Sequence, residues 1–322
     1  MTDQTMTDAV AFWIDAAGDG VLRTETLPPP GPDQTLITTL ATGISRGTEA
    51  LVFAGKVPPS QFETMRAPLM GGAFPFPVKY GYSAVGLDPS GHRLFVLHPH
   101  QDRFIAPTAM CIPVPDDVPT NRAVLAANME TALNICWDAG CLPGERVTVI
   151  GAGVVGLLVG SLLARIPGTK VTMVDINPSR AGVAARLGCG FESARLDQDL
   201  VIHASGTESG LRLALNCAAF ESRIIEASWF GDALPALPLG GAFHSKRLRI
   251  IASQVGHIAP AMRGRRTPAQ RLALALELLK DERYDTLLEP PTDFADLPAA
   301  MPRLLAGGLC HVITYGTDAC SA

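Results

Sequence analysis

The chain has 322 residues, a length that suggests two domains, and its 47% hydrophobic content is ample for a core in each. With 18% charged residues, a net charge of −5 and one dense basic patch (Met262-Arg263-Gly264-Arg265-Arg266), it is not expected to bind nucleic acid or an anionic membrane. Its seven cysteines (Cys111, Cys136, Cys141, Cys189, Cys217, Cys310 and Cys320) are odd in number, scattered and without a C-x-x-C, the pattern of reduced thiols in a cytoplasmic protein.

Residues 1–8 are polar and acidic, so no signal peptide is expected, and no uncharged apolar run reaches the roughly 18 residues of a membrane helix. Up to residue 118 short apolar runs alternate with turns rich in Pro and Gly. Strands are expected at 10–14, 35–41, 83–87, 93–97 and 103–106, a spacing that suggests a small barrel. Pro28-Pro29-Pro30-Gly31-Pro32-Asp33 can continue neither strand nor helix and reads as a connector. The segment 60–78 carries Phe62, Met65, Met70, Phe74 and Phe76 near Arg66 and Lys79, with Gly71-Gly72 suited to a hinge. It reads either as the wall of a site for a largish anionic substrate or as a lid or dimer contact.

Residues 121–139 hold no Pro or Gly and are apolar at helical spacing (Val124, Leu125, Met129, Leu133, Cys136, Trp137). One helix is expected, capped by Thr120 or Asn121 and stopped by Gly140. Strands at 146–150, 169–174, 200–203 and 223–227 then alternate with helices at 155–165, 179–187 and 209–219. That alternation predicts a parallel sheet covered by helices, an α/β fold. A strand at 249–253, a helix at 268–280 and a last strand at 310–315 complete the reading.

The most specific signal is Gly151-Ala152-Gly153-Val154-Val155-Gly156, placed between the strand at 146–150 and the helix after it, with Asp175 nineteen residues past Gly156. This is a dinucleotide-binding fingerprint with a mechanism. Gly151 allows the tight turn, Gly153 lets backbone approach a pyrophosphate, and Gly156 lets the helix pack close. The helix start at Val154 and Val155 offers N–H groups to the phosphates. Asp175 is placed to accept hydrogen bonds from ribose hydroxyls and to repel a 2′-phosphate, which favours NAD over NADP. Arg180 could moderate this by lying over the adenine. At the end of another strand, His203, Ser205 and Gly206 either touch the adenosine or ribose or are satisfied locally.

Several segments resemble the medium-chain dehydrogenase/reductase superfamily over essentially the whole chain. Gly43-Ile44-Ser45-Arg46-Gly47-Thr48-Glu49 is similar to its G-I-C-x-(S/T)-D segment, and Tyr80-Gly81-Tyr82-Ser83-Ala84-Val85-Gly86 to its P-G-H-E-x-x-G segment. Thr131-Ala132-Leu133, Ala139-Gly140 and Pro143-Gly144-Glu145 resemble its run-in to the glycine motif. The resemblance implies a Rossmann doubly wound sheet at 119–284 and a discontinuous GroES-like β-barrel catalytic domain at 1–118 and 285–322. Zinc-dependent members bind the metal through Cys, His and a third Cys or Glu. Here Ser45, Tyr82 and Ala127 stand at or near those positions, and the four-Cys structural lobe is missing, so no zinc is expected. His98-Pro99-His100 reads as a polar turn rather than a metal site. Gly55-Lys56-Val57-Pro58-Pro59 and Lys79-Tyr80-Gly81-Tyr82 further resemble a zinc-less branch that includes the bacteriochlorophyllide hydroxyethyl dehydrogenase.

The resemblance implies a zinc-independent oxidoreductase that interconverts a secondary alcohol and a ketone, acting on a small molecule. A quinone or enoyl reductase using NADPH and a non-catalytic dinucleotide-binding sensor or scaffold are the alternatives. Without zinc, side-chain donors must manage charge on the substrate oxygen. The candidates are Tyr82, Ser45, Thr48 and Lys79, the last by lowering a tyrosine pKa through proximity. Tyr82 either donates to the substrate or merely fills the vacated metal position. Glu49 is expected to cap or pair, and Arg46 to reach a cofactor phosphate or a surface acid. In the family, dimers often join Rossmann sheets edge to edge, and 249–253 is the strand expected to do so in a homodimer.

Overall fold

A computed structural model describes residues 6–316. The chain divides into two compact units. The first runs to Ala127 and takes in Leu276–Lys280 and everything from Leu288 onward. The second comprises Asn128–Ala275 and Asp281–Leu287. Against the bounds read from sequence, 118/119 and 284/285, the first boundary lies nine residues later, the second three residues later, and Leu276–Lys280 joins the first unit as well. Residues 119–127 belong with the first unit, where Val124 packs so close to Gly43 that a Cβ on the glycine would lie 3.0 Å from the Val124 side chain.

In the first unit the strand Gln34–Ile44 is the spine. It pairs antiparallel with Ala84–Leu87, Arg103–Pro107 and His311–Thr314, within a seven-stranded sheet. Ile37, Ala84, Leu94, Val96, Phe104 and Ala106 form one core cluster of this unit. A second sheet of four strands is built on Thr7–Ala16. The strands expected from their spacing thus lie in two sheets, which backbone hydrogen bonds join through 100–102: Phe12 N–H donates to the His100 carbonyl and Thr39 N–H to that of Asp102. A strand the sequence reading omits, Asp19–Leu27, pairs with Thr7–Ala16 along its whole length. It is an outer strand whose residues are half-buried or exposed, so Arg23 and Glu25 sit in it without penalty and hide its apolar pattern.

The helix expected over 121–139 is broken into Thr120–Ala123 and Ala126–Ala139. The hydroxyl of Ser83 donates to the carbonyl of Val124 at the break, an acceptor that a continuous helix would have used itself. Neither Thr120 nor Asn121 caps the first piece; Pro119 holds the cap position, and its carbonyl accepts from Arg122 and Ala123. Gly140 ends the second piece with φ +54, as its residue type predicts.

The second unit is a six-stranded parallel sheet in the order Gly190–Phe191, Lys170–Val174, Arg146–Ile150, Gln198–His203, Ala218–Glu226, Arg249–Ala252. Helices Val154–Leu163 and Glu208–Cys217 follow the first and fourth strands of the chain's β–α alternation. The register aligns Val174, Ile150, His203 and Glu226 in one row at the carboxyl ends. The residues just beyond that row, Asp175, Gly151 and Ala204, therefore share one rim. A doubly wound α/β fold binds ligands at that rim. Among the described residues no helix is long and apolar enough to cross a membrane. The six described cysteines are free thiols, and Cys320 lies outside the described residues.

Candidate functional site

The glycine loop of the second unit has the geometry its sequence predicts. Gly151 adopts φ +107, and a Cβ there would lie 2.7 Å from the Ala204 carbonyl and from the Ser205 nitrogen. A Cβ on Gly156 would lie 2.0 Å from the Gly151 oxygen, so only glycine lets the helix approach the loop. Gly153 differs. It caps the helix Val154–Leu163 with an ordinary φ of −77, and a Cβ on it would meet nothing within 4 Å. Its missing side chain leaves open space beside the helix N-terminus, the cradle a pyrophosphate requires.

Asp175 follows the strand Lys170–Val174. Its Oδ2 accepts from the Ala152 N–H at 2.6 Å and its Oδ1 from the Asn177 N–H at 2.8 Å. The neighbouring Ile176 is fully exposed, a large apolar side chain beside the carboxylate that the sequence reading passed over. Arg180 closes the short 3₁₀ turn Pro178–Arg180 five residues after Asp175. His203 is fully buried, so its alternative as a cofactor contact falls away. Its Nδ1 bonds Glu226 Oε2 at 2.7 Å and its Nε2 bonds the Ser205 hydroxyl at 2.7 Å. Ser205 is thereby pinned, and Gly206, exposed at φ +65, donates its N–H to Ser228 Oγ at 3.0 Å.

The second constellation lies in the first unit. The strand Gln34–Ile44 runs directly into Ser45, the N-cap of the helix Arg46–Phe53, whose first turn carries Thr48 and Glu49. Thr42 is opposite Ala84 in the adjacent strand, and Gly43 N–H donates to the Ser83 carbonyl at 2.9 Å. That register brings Tyr82 alongside Ser45. The side chains of Ser45 and Thr48 lie close enough to the Tyr82 hydroxyl to pull its pKa down. Three of the four side chains proposed from sequence therefore meet. Tyr82 is half-buried. Burial, then the nearby Glu49 charge, push its pKa up to about 12, although the Ser45 and Thr48 bonds pull the other way.

Behind this trio Glu49 accepts the Ser45 N–H at 2.7 Å through Oε1 and meets His100 Nε2 at 3.0 Å through Oε2. His100 Nδ1 bonds Thr42 Oγ1 at 2.6 Å, and Thr42 bonds the Tyr315 hydroxyl at 3.2 Å. Glu49 thus both caps and pairs, as its position suggested. His98 does neither job: it stacks on Phe104 at 3.6 Å, its Nδ1 donates to the Pro99 carbonyl, and burial lowers its pKa to about 3.

Lys79 does not play the part proposed for it. Its ammonium is held by Glu25 Oε2 at 2.7 Å and Gln101 Oε1 at 2.8 Å, over the Trp13 ring. Both Tyr80 and Tyr82 have raised rather than lowered pKa values, chiefly through burial. The segment 60–78 packs onto its own unit: Phe62, Phe74, Tyr80 and Tyr82 follow one another ring to ring at 5.7, 5.7 and 6.1 Å. Gly72 is required by close approach, since a Cβ would lie 2.2 Å from the Pro77 carbonyl oxygen.

A dinucleotide fits the second unit, which supplies the glycine cradle, the helix N-terminus and the carboxylate. Zinc does not fit the first, because Ser45, Thr48 and Tyr82 offer neutral hydroxyls and the nearest carboxylate and imidazole bond each other. Among the described residues no group of three or more His, Cys, Asp and Glu side chains is arranged to hold a metal.

No family model matches the chain. Probable D-xylulose reductase A of Neosartorya fischeri is 27% identical over 132 residues, 35% of this chain and 37% of that protein. L-threonine 3-dehydrogenase of Mesorhizobium japonicum is 40% identical over 78 residues, 24% of this chain and 22% of that protein. The chain thus spans about a third or less of the length of these relatives. Structural likeness is more extensive. L-idonate 5-dehydrogenase from Escherichia coli superimposes with a TM-score of 0.79 at 14% identity, over 97% of this chain and all of that one. A Sinorhizobium meliloti protein described as a zinc-binding dehydrogenase and bound to NADP gives 0.76 at 15% identity, over 97% and 100%. A short chain alcohol dehydrogenase from Escherichia coli complexed with NADH gives 0.76 at 15%, over 96% and 99%. The chain has the fold of these dehydrogenases, a Rossmann sheet with an additional sheet-based domain.

Proposed function

We propose that the chain is a medium-chain dehydrogenase/reductase of the zinc-less branch, an NAD-dependent oxidoreductase that interconverts a secondary alcohol and its ketone. The observation that carries this reading is the meeting of the Tyr82, Ser45 and Thr48 hydroxyls where the superfamily's metal site is expected. The names of the partial relatives and the NADP and NADH in the similar structures support the coarser part of this reading, a dehydrogenase that uses a nicotinamide cofactor.

A bound nicotinamide supplies the hydride chemistry. The glycine loop and the first turn of Val154–Leu163 would hold its diphosphate, and Asp175 would accept from the ribose hydroxyls. Gly206 and the pinned Ser205 border the same rim. In the first unit Tyr82 stays protonated across the physiological range, because its pKa is pushed up to about 12. A protonated phenol donates a hydrogen bond to the carbonyl oxygen and strengthens it as negative charge grows there, the part zinc plays elsewhere. Ser45 and Thr48 hold that phenol in place. We further propose a small-molecule substrate, a cytoplasmic location and a homodimer joined at the edge strand Arg249–Ala252.

A panel of secondary alcohols and ketones, assayed with NAD and with NADP before and after exhaustive chelation, tests the reading. NAD-dependent turnover that survives chelation supports it. Turnover abolished by chelation and restored by zinc contradicts it, as does binding of cofactor with no turnover on any panel member.

A further inference from the structure

Only one of the two ring nitrogens of His98 is satisfied, although the residue is just 5% exposed. Nδ1 meets the Pro99 carbonyl at 2.9 Å, and a carbonyl only accepts, so Nδ1 carries the hydrogen of the neutral ring. Burial keeps the ring neutral down to about pH 3, which leaves Nε2 a lone-pair acceptor. Among the described residues Nε2 has no hydrogen-bond partner, yet it is not fully enclosed. Phe104 covers one face of the ring at 3.6 Å. The space left to Nε2 is a pocket of about 230 Å³ within the first unit, which His98 lines.

The floor of this pocket is polar: Lys79, His98 and Gln101 line it, and each is more than nine-tenths buried. The Lys79 ammonium has three N–H donors and gives one to Glu25 Oε2 at 2.7 Å and one to Gln101 Oε1 at 2.8 Å, which leaves a third. The Lys79–Glu25 pair cancels in charge, so an anion would meet Glu25 and a cation would meet Lys79. A neutral ligand meets neither conflict. One donor and one acceptor on the same floor are the complement of a hydroxyl group. Leu27, Pro28, Phe104 and Ile105 supply apolar walls. The volume exceeds the roughly 150 Å³ of a cavity that takes up benzene. The pocket is also separate from the hydroxyl trio, since Gln34 lines it at the start of the strand Gln34–Ile44, whereas Ser45 lies past the other end. We propose that this pocket binds a small neutral molecule with one hydroxyl on an apolar body of about one ring, the hydroxyl being held by His98 Nε2 and the Lys79 ammonium. The proposal does not depend on the alcohol–ketone reading.

Phenol is the probe, and toluene, of the same size but without the hydroxyl, is its control. Both are titrated calorimetrically into the full chain, and the nitrogen resonance of His98 Nε2, assigned by its loss in H98Q, is followed alongside. Phenol is expected to bind about tenfold more tightly than toluene and to move the Nε2 resonance, as a hydrogen bond gained at a buried acceptor should. H98F keeps an aromatic ring against Phe104 and removes the acceptor, so it should bring phenol down to the affinity of toluene. L27W fills the pocket from its wall and should abolish binding of both probes without lowering the melting temperature. If H98F does not fold, the Nε2 resonance and L27W decide the question. Absence of phenol binding, phenol binding no tighter than toluene, an Nε2 resonance unmoved at saturation, or undiminished binding to L27W would each overturn the proposal.

Discussion

The Oδ2 of Asp175 accepts a hydrogen bond from the backbone N–H of Ala152 at 2.6 Å, so the carboxylate proposed to meet the ribose is tied directly to the glycine loop. Its other oxygen is held by Asn177 N–H at 2.8 Å. The carboxylate is therefore preset, with lone pairs left for two ribose hydroxyls. Asp175→Ala removes both the anchor and the acceptor. Hydrogen bonds to a charged group are worth about 1.5–3 kcal/mol, so NAD affinity should fall roughly 10- to 100-fold by calorimetric titration. NADP affinity should fall less, because the repulsion of the 2′-phosphate disappears with the carboxylate.

The two glycines Gly153 and Gly156 should separate folding from binding. Gly156→Ala drives a Cβ to 2.0 Å from the Gly151 oxygen and should cost about 1–3 kcal/mol of stability in a denaturant melt. Gly153→Ala meets no protein atom and has a compatible φ, but alanine is a poorer N-cap than glycine, so the two effects offset and stability should stay within about 1 kcal/mol of wild type. Its effect should appear only in cofactor affinity, which should drop because the methyl enters the space left for the diphosphate.

Lys79 should prove structural. Lys79→Met strips the partner from Glu25 and leaves Gln101 with one bond fewer. Because Glu25 retains some solvent contact, the loss should be moderate, about 1–3 kcal/mol in thermal or denaturant unfolding. Turnover of the folded protein should stay within about twofold of wild type, since Tyr82 draws no proton chemistry from Lys79.

His98 should make the protein sensitive to acid. Its pKa is about 3 in the folded state against 6.5 for the free side chain, because burial against Phe104 disfavours the charged ring. Above pH 6.5 both folded and unfolded states carry it neutral. As pH falls below that value the unfolded chain takes up the proton and the folded chain does not, so stability drops by up to about 1.4 kcal/mol per pH unit until pH nears 3. His98→Gln should flatten the melting temperature between pH 6 and 4 relative to wild type. A variant with the same pH slope as wild type would show that His98 is not the group responsible.

The Rossmann half was the more legible in sequence, for a physical reason. A parallel strand covered on both faces is a continuous apolar run, so Arg146–Ile150 is read correctly to the residue, and its glycines follow at once. The outer strand Asp19–Leu27 was not legible, because half-exposed positions tolerate Arg23 and Glu25. The break after Ala123 depends on the Ser83 hydroxyl reaching Val124 from a distant strand, which no local pattern records. The same limit applied at the site. Ser45, Thr48 and Tyr82 could be picked out by resemblance and by their hydroxyls. That His100 stands behind Glu49 follows only from the fold, since the two are 51 residues apart in the chain. Lys79 was misread because sequence gives its charge but not Glu25, which claims it.

We propose that the Tyr82 hydroxyl, beside Ser45 and Thr48, polarises the substrate carbonyl at this site. The most direct test is the single-turnover rate of ketone reduction by Tyr82→Phe, measured with saturating NADH on the best ketone of the panel. Removing one preorganised donor to a developing oxyanion typically costs about 100- to 1,000-fold, and the account predicts a loss of that order with cofactor affinity and melting temperature unchanged. A Tyr82→Phe enzyme that reduces the ketone at a rate close to wild type would contradict it and leave Tyr82 as packing.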